Sequence, residues 1–293
     1  MPTFFLLLAA CIAPMSSFHT GRAAPYHQLE MNAGVGVNLD SSFVGSTVQT
    51  GRVVAEEAVD AIDNGELPAL DAHQEAILCE AALAYALASP FPVAQVGVQY
   101  GLARQTEVGL MWTSSGFGGH VKYQFLGRDV RADDPFDLAF ALQVQRQSWS
   151  LPIPGADLVT KVLDIEDFSR TDVIVPVIAS VELGEYGALY GGPRFFWSAI
   201  EAELVEKLSD LAGQTTVVSG GMYGGGGVLG GSLGYRYVYV MAELNVVGYR
   251  YEPVFLGNQV RYRGVDVYPA LGMKVNLYDP RKVRGSARPT PAS

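Results

Sequence analysis

The sequence has little charge, few cysteines and no long hydrophobic run. Its charged residues make up 17% of the 293 positions, against roughly 25% in an average globular protein. A net charge of −10 opposes contact with a polyanion, which argues against a nucleic-acid partner. Two cysteines form no disulfide framework, and the histidines, cysteines and acidic residues lack the sequence spacing of a metal site. After about the first dozen residues, no apolar run approaches the roughly 20 residues that a membrane-spanning helix needs.

Glycine, tyrosine and alternating apolar residues dominate instead. The chain has 33 Gly and 15 Tyr, and 49% of its residues are hydrophobic. Leu29 and Met31 fall on one face of an extended chain, whereas Glu30 and Asn32 fall on the other. This two-residue period is typical of a strand with one apolar and one polar face. It recurs in ten segments, namely 27–40, 93–102, 106–113, 117–126, 136–147, 171–183, 187–197, 219–236, 237–248 and 265–277.

The connections between these segments carry other patterns. Ala-rich stretches with three- and four-residue spacing predict a helical insert at 52–88 and a shorter helix over Ala199–Leu211. The glycine run Gly220–Gly227 predicts a kink or bulge within its strand. Residues 278–293 lack apolar periodicity, so we predict a disordered tail.

The N-terminus resembles an export signal. The tetrad Leu8–Cys11 (Leu-Ala-Ala-Cys) matches the lipobox of bacterial lipoprotein precursors, in which small residues precede a cysteine that becomes lipidated. We therefore predict a signal peptide at 1–10, lipidation of Cys11 and a linker over 11–26. The alternative is an ordinary signal peptide that is cut after the small residue Ala23. Both readings predict an exported protein.

Loop lengths indicate the architecture. If successive segments reverse direction, short turns gather at one end of the molecule and long loops at the other, with 114–116 as the exception. Outer-membrane β-barrels have this asymmetry, and their aromatic residues gather at both membrane interfaces. The long-loop ends hold Trp112, Trp149, Trp197, Tyr249 and Tyr251, and the short-turn ends hold Tyr100, Phe125, Tyr235, Tyr237 and Tyr278. We predict an all-β fold, an antiparallel up-and-down transmembrane β-barrel of about ten strands over 27–277, with short helical insertions in the long loops and a narrow or plugged lumen.

The polar faces of the strands are expected to line the lumen. The residues expected there are Glu30, Asn32, Glu107, His120, Lys122, Gln124, Glu243 and Lys274. Hairpin geometry about 114–116 places Glu107 beside Lys122. Glu30 meets Lys274 if the first and last strands pair with their ends level. Both pairings are expected because an unpaired charge in a confined lumen is costly.

The chain resembles Gram-negative outer-membrane β-barrel proteins, and in particular lipoproteins that carry a barrel after a lipobox cysteine. The resemblance is carried by Leu8–Cys11, the helical insert after the first strand, the run 90–112 and the final strand. In that strand Gly272, Val275 and Leu277 resemble the barrel-assembly signal, although in the family the chain usually ends there. The resemblance implies two partners, the lipid of the outer membrane and, through these three residues, the barrel-assembly machinery.

The sequence therefore predicts a non-enzymatic outer-membrane protein, either structural or a narrow channel, anchored by lipid at its N-terminus. No catalytic residue, cofactor or metal is expected. One alternative is a soluble periplasmic barrel of the lipocalin type, which would turn its apolar faces inward to bind an apolar ligand. Another is an outer-membrane hydrolase similar to the omptin proteases, because His120 and Asp172 fall near long-loop ends on the lumen side.

Overall fold

The computed structural model describes residues 16–39, 92–127, 136–149, 163–206, 215–255, 258–259 and 261–278, together with residues 130 and 134 and scattered residues between 49 and 77. These residues form ten long strands and one short one. In chain order they are β1 (Leu29–Gly36), β2 (Val93–Ala103), β3 (Thr106–Thr113), β4 (Gly116–Leu126), β5 (Asp137–Trp149), β6 (Leu163–Glu182), β7 (Gly187–Glu206), β8 (Thr215–Tyr235), β9 (Val238–Phe255), β10 (Asn258–Gln259) and β11 (Tyr262–Asn276).

The long strands close into a barrel. Each pairs antiparallel with the next long strand, and β1 pairs with β11 as well as with β2. The short strand β10 pairs only with β9. Closure gives every long strand two neighbours, which is what a sheet needs if it is to lie in lipid. The predicted antiparallel barrel of ten strands is confirmed.

Side chains alternate between the two faces of the wall. On the hairpin of β3 and β4, Leu110 and Val121 are exposed on the outer face, whereas Glu107 and Lys122 are buried on the inner face. Other exposed hydrophobic side chains on the strands are Val96, Phe140, Leu142, Val144, Val175, Phe195, Leu229, Val240, Leu244, Val246, Val265 and Leu271. The exterior of the barrel is thus apolar and much of its interior is polar.

Four adjacent strands are longer than a membrane requires. Strands β6 to β9 have 18 to 21 residues, whereas a tilted membrane strand needs about 9–11. The turns 183–186 and 236–237 hold these strands together at the short-turn end. Their additional residues therefore extend the wall at the long-loop end.

The predicted helix over Ala199–Leu211 is wrong in its described part, because Ala199–Glu206 continues β7. This stretch fits both periodicities: Ile200 and Ala202 are buried, and Glu201 between them is exposed. Pairing with β6 on one side and β8 on the other decides in favour of the strand. Residues 207–211 lie outside the described part of the chain.

The glycine run of β8 forms no bulge. Its pairing runs without a register shift against both β7 and β9, so the predicted bulge at Gly220–Gly227 is wrong. The glycines instead make room inside the barrel. A side chain at Gly224 would overlap the ring of Phe196, and one at Gly230 would overlap the ring of Tyr190.

The helical insert predicted at 52–88 is described only in part. Residues 53–54, 56–57, 60, 74 and 77 are helical. Among the described residues, no helix combines the length and the apolar character needed to cross a membrane. The predicted signal peptide, Cys11 and residues 279–293 of the predicted disordered tail lie outside the described residues.

Residues 16–26, here called the luminal segment, run through the barrel interior and end at Tyr26, which is exposed at the short-turn mouth. Phe18, Ala23 and Ala24 of this segment are almost completely buried. The described part of the predicted linker 11–26 is therefore an interior element. The interior position of this segment could not be predicted from the sequence, because the segment has no alternating pattern and its partners are far away along the chain.

Candidate functional site

The luminal segment spans the barrel interior. Ser16 lies beside Gly36 at the long-loop end of β1, and Tyr26 pairs with Gly101 near the short-turn end of β2. His27 then adopts a left-handed backbone conformation, with φ of 60°. This residue reverses the chain into β1, so the luminal segment runs antiparallel to the strand that follows it.

Wall side chains satisfy the backbone of the luminal segment. Four of its amide nitrogens donate to them: Ser17 N to Glu243 Oε2 at 3.3 Å, Gly21 N to Ser180 Oγ at 3.1 Å, Ala23 N to Gln124 Oε1 at 2.9 Å, and Ala24 N to Glu107 Oε2 at 2.7 Å. In return, Lys122 Nζ donates to the carbonyl oxygen of Arg22 at 2.9 Å. These backbone groups would otherwise be buried without partners, which is costly. The wall is thus complementary to this particular stretch of chain.

Phe18 provides the apolar contact of the luminal segment. Its side chain is 2% exposed and shares an apolar cluster with four wall residues, Ile178, Tyr190, Met241 and Ala270. Its backbone has φ of 49°, an uncommon conformation for a bulky residue. Such a conformation persists where the surroundings determine it. Burial of the ring in this cluster holds the residue in place.

Glu107 is the centre of an ionic cluster between the luminal segment and the wall. Its Oε2 atom lies 2.9 Å from Lys122 Nζ. The two residues are opposite each other in the register of β3 and β4. The Oε1 atom of Glu107 lies 3.1 Å from His120 Nε2 and 3.7 Å from Nδ1 of His19 in the luminal segment. The two imidazole rings meet edge to face, with centroids 4.2 Å apart. The four side chains join the segment to two strands.

A second polar cluster surrounds Ser17. Arg194 Nη2 donates to Ser17 Oγ at 3.0 Å. Glu243 accepts from both neighbours, from the Tyr190 hydroxyl at 3.0 Å and from the Ser17 amide at 3.3 Å. Arg194 and Glu243 lie on different strands, β7 and β9, so the segment bridges two parts of the wall here as well.

A third cluster lies on the wall itself. Arg170 Nε is 2.7 Å from Asp172 Oδ1, and Gln145 Nε2 donates to Asp172 Oδ2 at 3.2 Å. The Ser198 hydroxyl also donates to the Asp172 carboxylate. These residues come from β5, β6 and β7. Every charge of this cluster therefore has a neutralising or hydrogen-bonding partner inside the barrel.

The short-turn mouth holds two further ion pairs. Lys274 Nζ lies 2.6 Å from Glu30 Oε2 across the seam between β11 and β1, and Arg22 Nη1 lies 2.6 Å from Glu182 Oε1. The Tyr278 hydroxyl donates to Glu30, so this first residue of the predicted disordered tail is ordered. A cavity of about 90 Å³ lies between these groups. It is the size of a few waters and does not make a pore.

The residues named from the sequence occupy the following positions. Glu30, Asn32, Glu107, His120, Lys122, Gln124 and Glu243 lie buried inside the barrel, and Lys274 lies at its short-turn mouth. Of the residues named for barrel assembly, Leu277 is exposed on the outer face, Val275 is half-buried, and Gly272 lies against the Phe18 ring. His120 bonds to Glu107 whereas Asp172 bonds to Arg170, so the two residues of the hydrolase hypothesis do not form a pair.

Sequence reasoning missed His19, Arg170 and Arg194 as interior residues. Arg194 lies on the polar face of an alternating segment, and this position in the sequence was enough to predict that it faces the lumen. His19 lies in a segment without alternation, where period and spacing carry no information. Only the fold brings it within reach of Glu107 and His120.

Aromatic side chains form two outer belts. Trp112 is exposed near the long-loop end of β3, and Trp197 and Tyr223, which are opposite each other in the register, are exposed near the middle of the longer strands β7 and β8. Tyr186, Tyr235 and Tyr237 are exposed near the short-turn end. Two tyrosines assigned to these ends from the sequence point inward instead: Tyr251 is buried and Tyr278 contacts Glu30. Trp149 has no described side chain.

Comparisons with known proteins return only distant likenesses. No protein-family model matches the chain, and a search of curated proteins finds no match. Among solved structures, the chain resembles Neisserial surface protein A (12% identity, TM-score 0.32, covering 85% of this chain and 95% of that one). It also resembles a major outer membrane protein of Thermus thermophilus (12% identity, TM-score 0.33, covering 55% of this chain and 92% of that one). A third likeness is to Ail of Yersinia pestis (11% identity, TM-score 0.30, covering 86% of this chain and 99% of that one). At these values the function has to be argued from the barrel itself.

Proposed function

We propose that the protein is a non-enzymatic outer-membrane β-barrel, lipid-anchored through Cys11, whose lumen is closed by its own luminal segment. The observation that carries the proposal is the distribution of side chains. Leu110 and Leu229 are exposed on the outer face, whereas Glu107 and Asp172 are buried and paired inside. At rest it is a structural barrel. It becomes a narrow channel only if the luminal segment moves.

The outer surface fits lipid as its solvent. Soluble monomers rarely expose a contiguous apolar patch larger than a few hundred Å², but here apolar side chains are exposed on strand after strand around the barrel. On β8, Tyr223 and Tyr235 mark the two aromatic belts. At a rise of about 3.3 Å per residue and a tilt of about 40°, they lie roughly 30 Å apart along the barrel axis. This separation matches the thickness of a bilayer core.

The interior argues against the soluble ligand-binding alternative. A lipocalin-type barrel would enclose an apolar cavity, with residues such as Glu30 and Lys122 in water outside. Here Lys122 and Glu107 are both buried inside, and Phe18 fills the apolar part of the interior, among Ile178, Tyr190, Met241 and Ala270. No room for an apolar ligand is left in this part of the lumen.

The interior also supports a non-enzymatic role. The two candidate residues for hydrolysis, His120 and Asp172, are bonded to different partners and do not meet. His120 in addition packs against His19 of the luminal segment, which lies between it and the barrel axis. A substrate would have to displace this segment before reaching either residue.

Lipidation of Cys11 is consistent with the fit of the luminal segment. Cleavage after Ala23 would remove Phe18 and with it the centre of the interior apolar cluster. It would also leave Gly34 and Gly272 facing empty space that the Phe18 ring now fills. Processing before Cys11 keeps residues 16–26 in the mature chain. We therefore expect a mature protein that begins at an acylated Cys11.

Purification followed by bilayer recording tests the function. We expect a detergent-soluble protein whose gel mobility changes on heating, as for a stable barrel, and which shows no steady conductance in planar bilayers. Deletion of residues 16–23 should open a small steady conductance, with the heat-dependent mobility as the control for folding. Mass spectrometry of the mature N-terminus and a Cys11→Ala variant test the lipid anchor.

Two results would overturn the proposal. A protein that stays monomeric in water without detergent is not a transmembrane barrel. Steady conductance through the complete chain would show that the luminal segment does not close the barrel.

A further inference from the structure

Three side chains of the types that bind transition metals meet where the luminal segment touches the wall. They are His19 on the segment, Glu107 on β3 and His120 on β4. One donor atom from each lies within 4.8 Å of the others, and all three residues are buried. Only the folded chain assembles this set, because His19 is remote in sequence from the other two.

We propose that His19 Nδ1, Glu107 Oε1 and His120 Nε2 bind one Zn²⁺ ion, which fastens the luminal segment to the barrel wall. The proposal rests on the retention of residues 16–26 in the mature chain, as argued above. It assigns the ion a structural role, since the site is buried on all sides.

The distances suit a small divalent ion. Zinc binds histidine nitrogen and carboxylate oxygen at about 2.0–2.2 Å in a tetrahedral arrangement, which sets neighbouring donor atoms about 3.3 Å apart. Glu107 Oε1 lies 3.1 Å from His120 Nε2 and 3.7 Å from His19 Nδ1. Since the donor atoms of the three residues all lie within 4.8 Å of one another, side-chain rotations would bring them toward a common centre.

The donor atoms are available. The Gln99 amide Nε2 lies 3.3 Å from His19 Nδ1 and donates to it, so this nitrogen holds a lone pair. His120 Nε2 shares a proton with Glu107 Oε1. An ion at this position replaces that shared proton, which moves to Nδ1 of the same ring. Once Nδ1 binds the ion it no longer accepts from Gln99, and a half-turn of that amide would present its oxygen as the fourth ligand.

Neighbouring groups leave the Glu107 carboxylate able to bind an ion through one oxygen only, as a monodentate ligand. Lys122 Nζ and the Ala24 amide both bond to Oε2 of Glu107, which leaves Oε1 for the ion. The ring of His120 lies over Gly109, where any side chain would overlap it. Partners that orient ligands in this way are a regular feature of metal sites.

The donor set selects the kind of ion. Two imidazoles and one carboxylate suit zinc and similar transition metals, whereas magnesium and calcium prefer a complete set of oxygens. Three protein donors at a site closed to solvent differ from a catalytic zinc site, which keeps an open position for water or substrate.

Titration of the full-length protein with Zn²⁺ tests the site. The detergent-purified protein is stripped with a chelator, and its mass is measured to verify that residue 19 is present. We expect one Zn²⁺ per chain by calorimetry, with the affinity lowered about 100-fold or more in His19→Ala and in His120→Ala. His27→Asn, which removes an exposed histidine at the mouth of the barrel and keeps a residue type that tolerates its left-handed backbone, should bind as the unaltered protein does.

Co²⁺ gives a second reading that does not depend on affinity alone. Tetrahedral Co²⁺ absorbs strongly in the visible range, and we expect this band in the unaltered protein and in His27→Asn but not in His19→Ala. Absence of stoichiometric Zn²⁺ binding, or equal binding by His19→Ala, would overturn the metal site. Such a result with unchanged heat-dependent mobility and no conductance would leave the proposed closed barrel intact.

Discussion

The ring of Phe18 lies directly against the backbone of Gly34, where a methyl group would overlap it. Gly272 faces the same ring from the opposite strand, and Gly34 and Gly272 are paired across the seam that closes the barrel. Two glycines at one point of the wall thus create the space for one aromatic ring. The closing seam and the luminal segment fit each other.

Gly34→Ala should weaken this fit. The added methyl group meets the Phe18 ring in a packed interior, and overpacking of this kind typically costs about 1–3 kcal/mol. We expect the free energy of unfolding in lipid vesicles to fall by that amount and a small conductance to appear, because the luminal segment is displaced. Urea titration and bilayer recording measure the two effects.

Gly36→Ala is the matched control. A Cβ at this position meets Ala270 Cβ at 3.4 Å and Ser16 Oγ at 3.5 Å, which is ordinary contact. Phe18→Ala combined with Gly34→Ala should cost less than the sum of the two single changes, since the added methyl group then no longer meets the ring and keeps only its close approach to the Leu271 carbonyl oxygen at 2.8 Å. If the losses of unfolding free energy in the two single variants add up exactly to the loss in the double variant, the strain of Gly34→Ala does not come from contact with the Phe18 ring.

Much of the wall could be predicted from the sequence, because a strand that faces lipid on one side alternates with a strict period. The hairpin about 114–116 fixes the register of β3 and β4 by itself, and from it follows the placement of Glu107 beside Lys122. Short, local geometry of this kind can be read without the rest of the fold.

The luminal segment and the extended wall could not be predicted in this way. His19 and Phe18 acquire partners only through contacts with β1, β3, β4 and the strands beyond, and no local period records such contacts. In the same way, Ile200 and Glu201 fit a helix as well as a strand, and the pairing of β7 with its two neighbours decides between them. Non-local pairing overrides local preference in both cases.

Lys122→Met should destabilise the barrel severely. It leaves the Glu107 carboxylate buried without its cation, and breaking one half of a buried ion pair typically costs about 3–5 kcal/mol. The double variant with Glu107→Gln should recover part of the loss, as measured by urea unfolding in vesicles.

An exposed ion pair in the same protein provides the comparison. Arg261 Nε lies 3.0 Å from Glu252 Oε1, and the Arg261 side chain is 59% exposed. Removing Arg261 should change the free energy of unfolding by about 0–1 kcal/mol. Equal effects of Lys122→Met and Arg261→Met would show that the lumen is open to water at Glu107.

Tyr278 should make the barrel sensitive to alkali. Burial first, and then the neighbouring Glu30 carboxylate, raise the pKa of its hydroxyl above the usual value of about 10. The folded chain therefore keeps the proton after the unfolded chain has lost it, so the stabilisation is complete below about pH 10 and decreases as the pH rises further. The free energy of unfolding should fall more steeply above pH 10 in the unaltered protein than in Tyr278→Phe.

The control for this pH profile is Tyr186→Phe, at an exposed tyrosine of the same end of the barrel. It should retain the steep fall of the unaltered protein. If the profiles of Tyr278→Phe and the unaltered protein coincide, the hydroxyl of Tyr278 does not hold the seam in solution.

Leu229→Lys and Val217→Lys compare two positions on the outer face of β8 that differ only in height. Leu229 is 68% exposed and lies midway between Tyr223 and Tyr235 of the two aromatic belts. Val217 is 66% exposed and lies beyond Tyr223, toward the long-loop end of β8. A lysine at the middle of a bilayer costs about 2–4 kcal/mol in a transmembrane barrel, falling to about 0–1 kcal/mol near the interface. In vesicles we expect Leu229→Lys to lower the free energy of unfolding by about 2–4 kcal/mol and Val217→Lys to lower it by about 0–1 kcal/mol. In water both sites are equally exposed surface, so equal losses would mean that the apolar band does not face lipid.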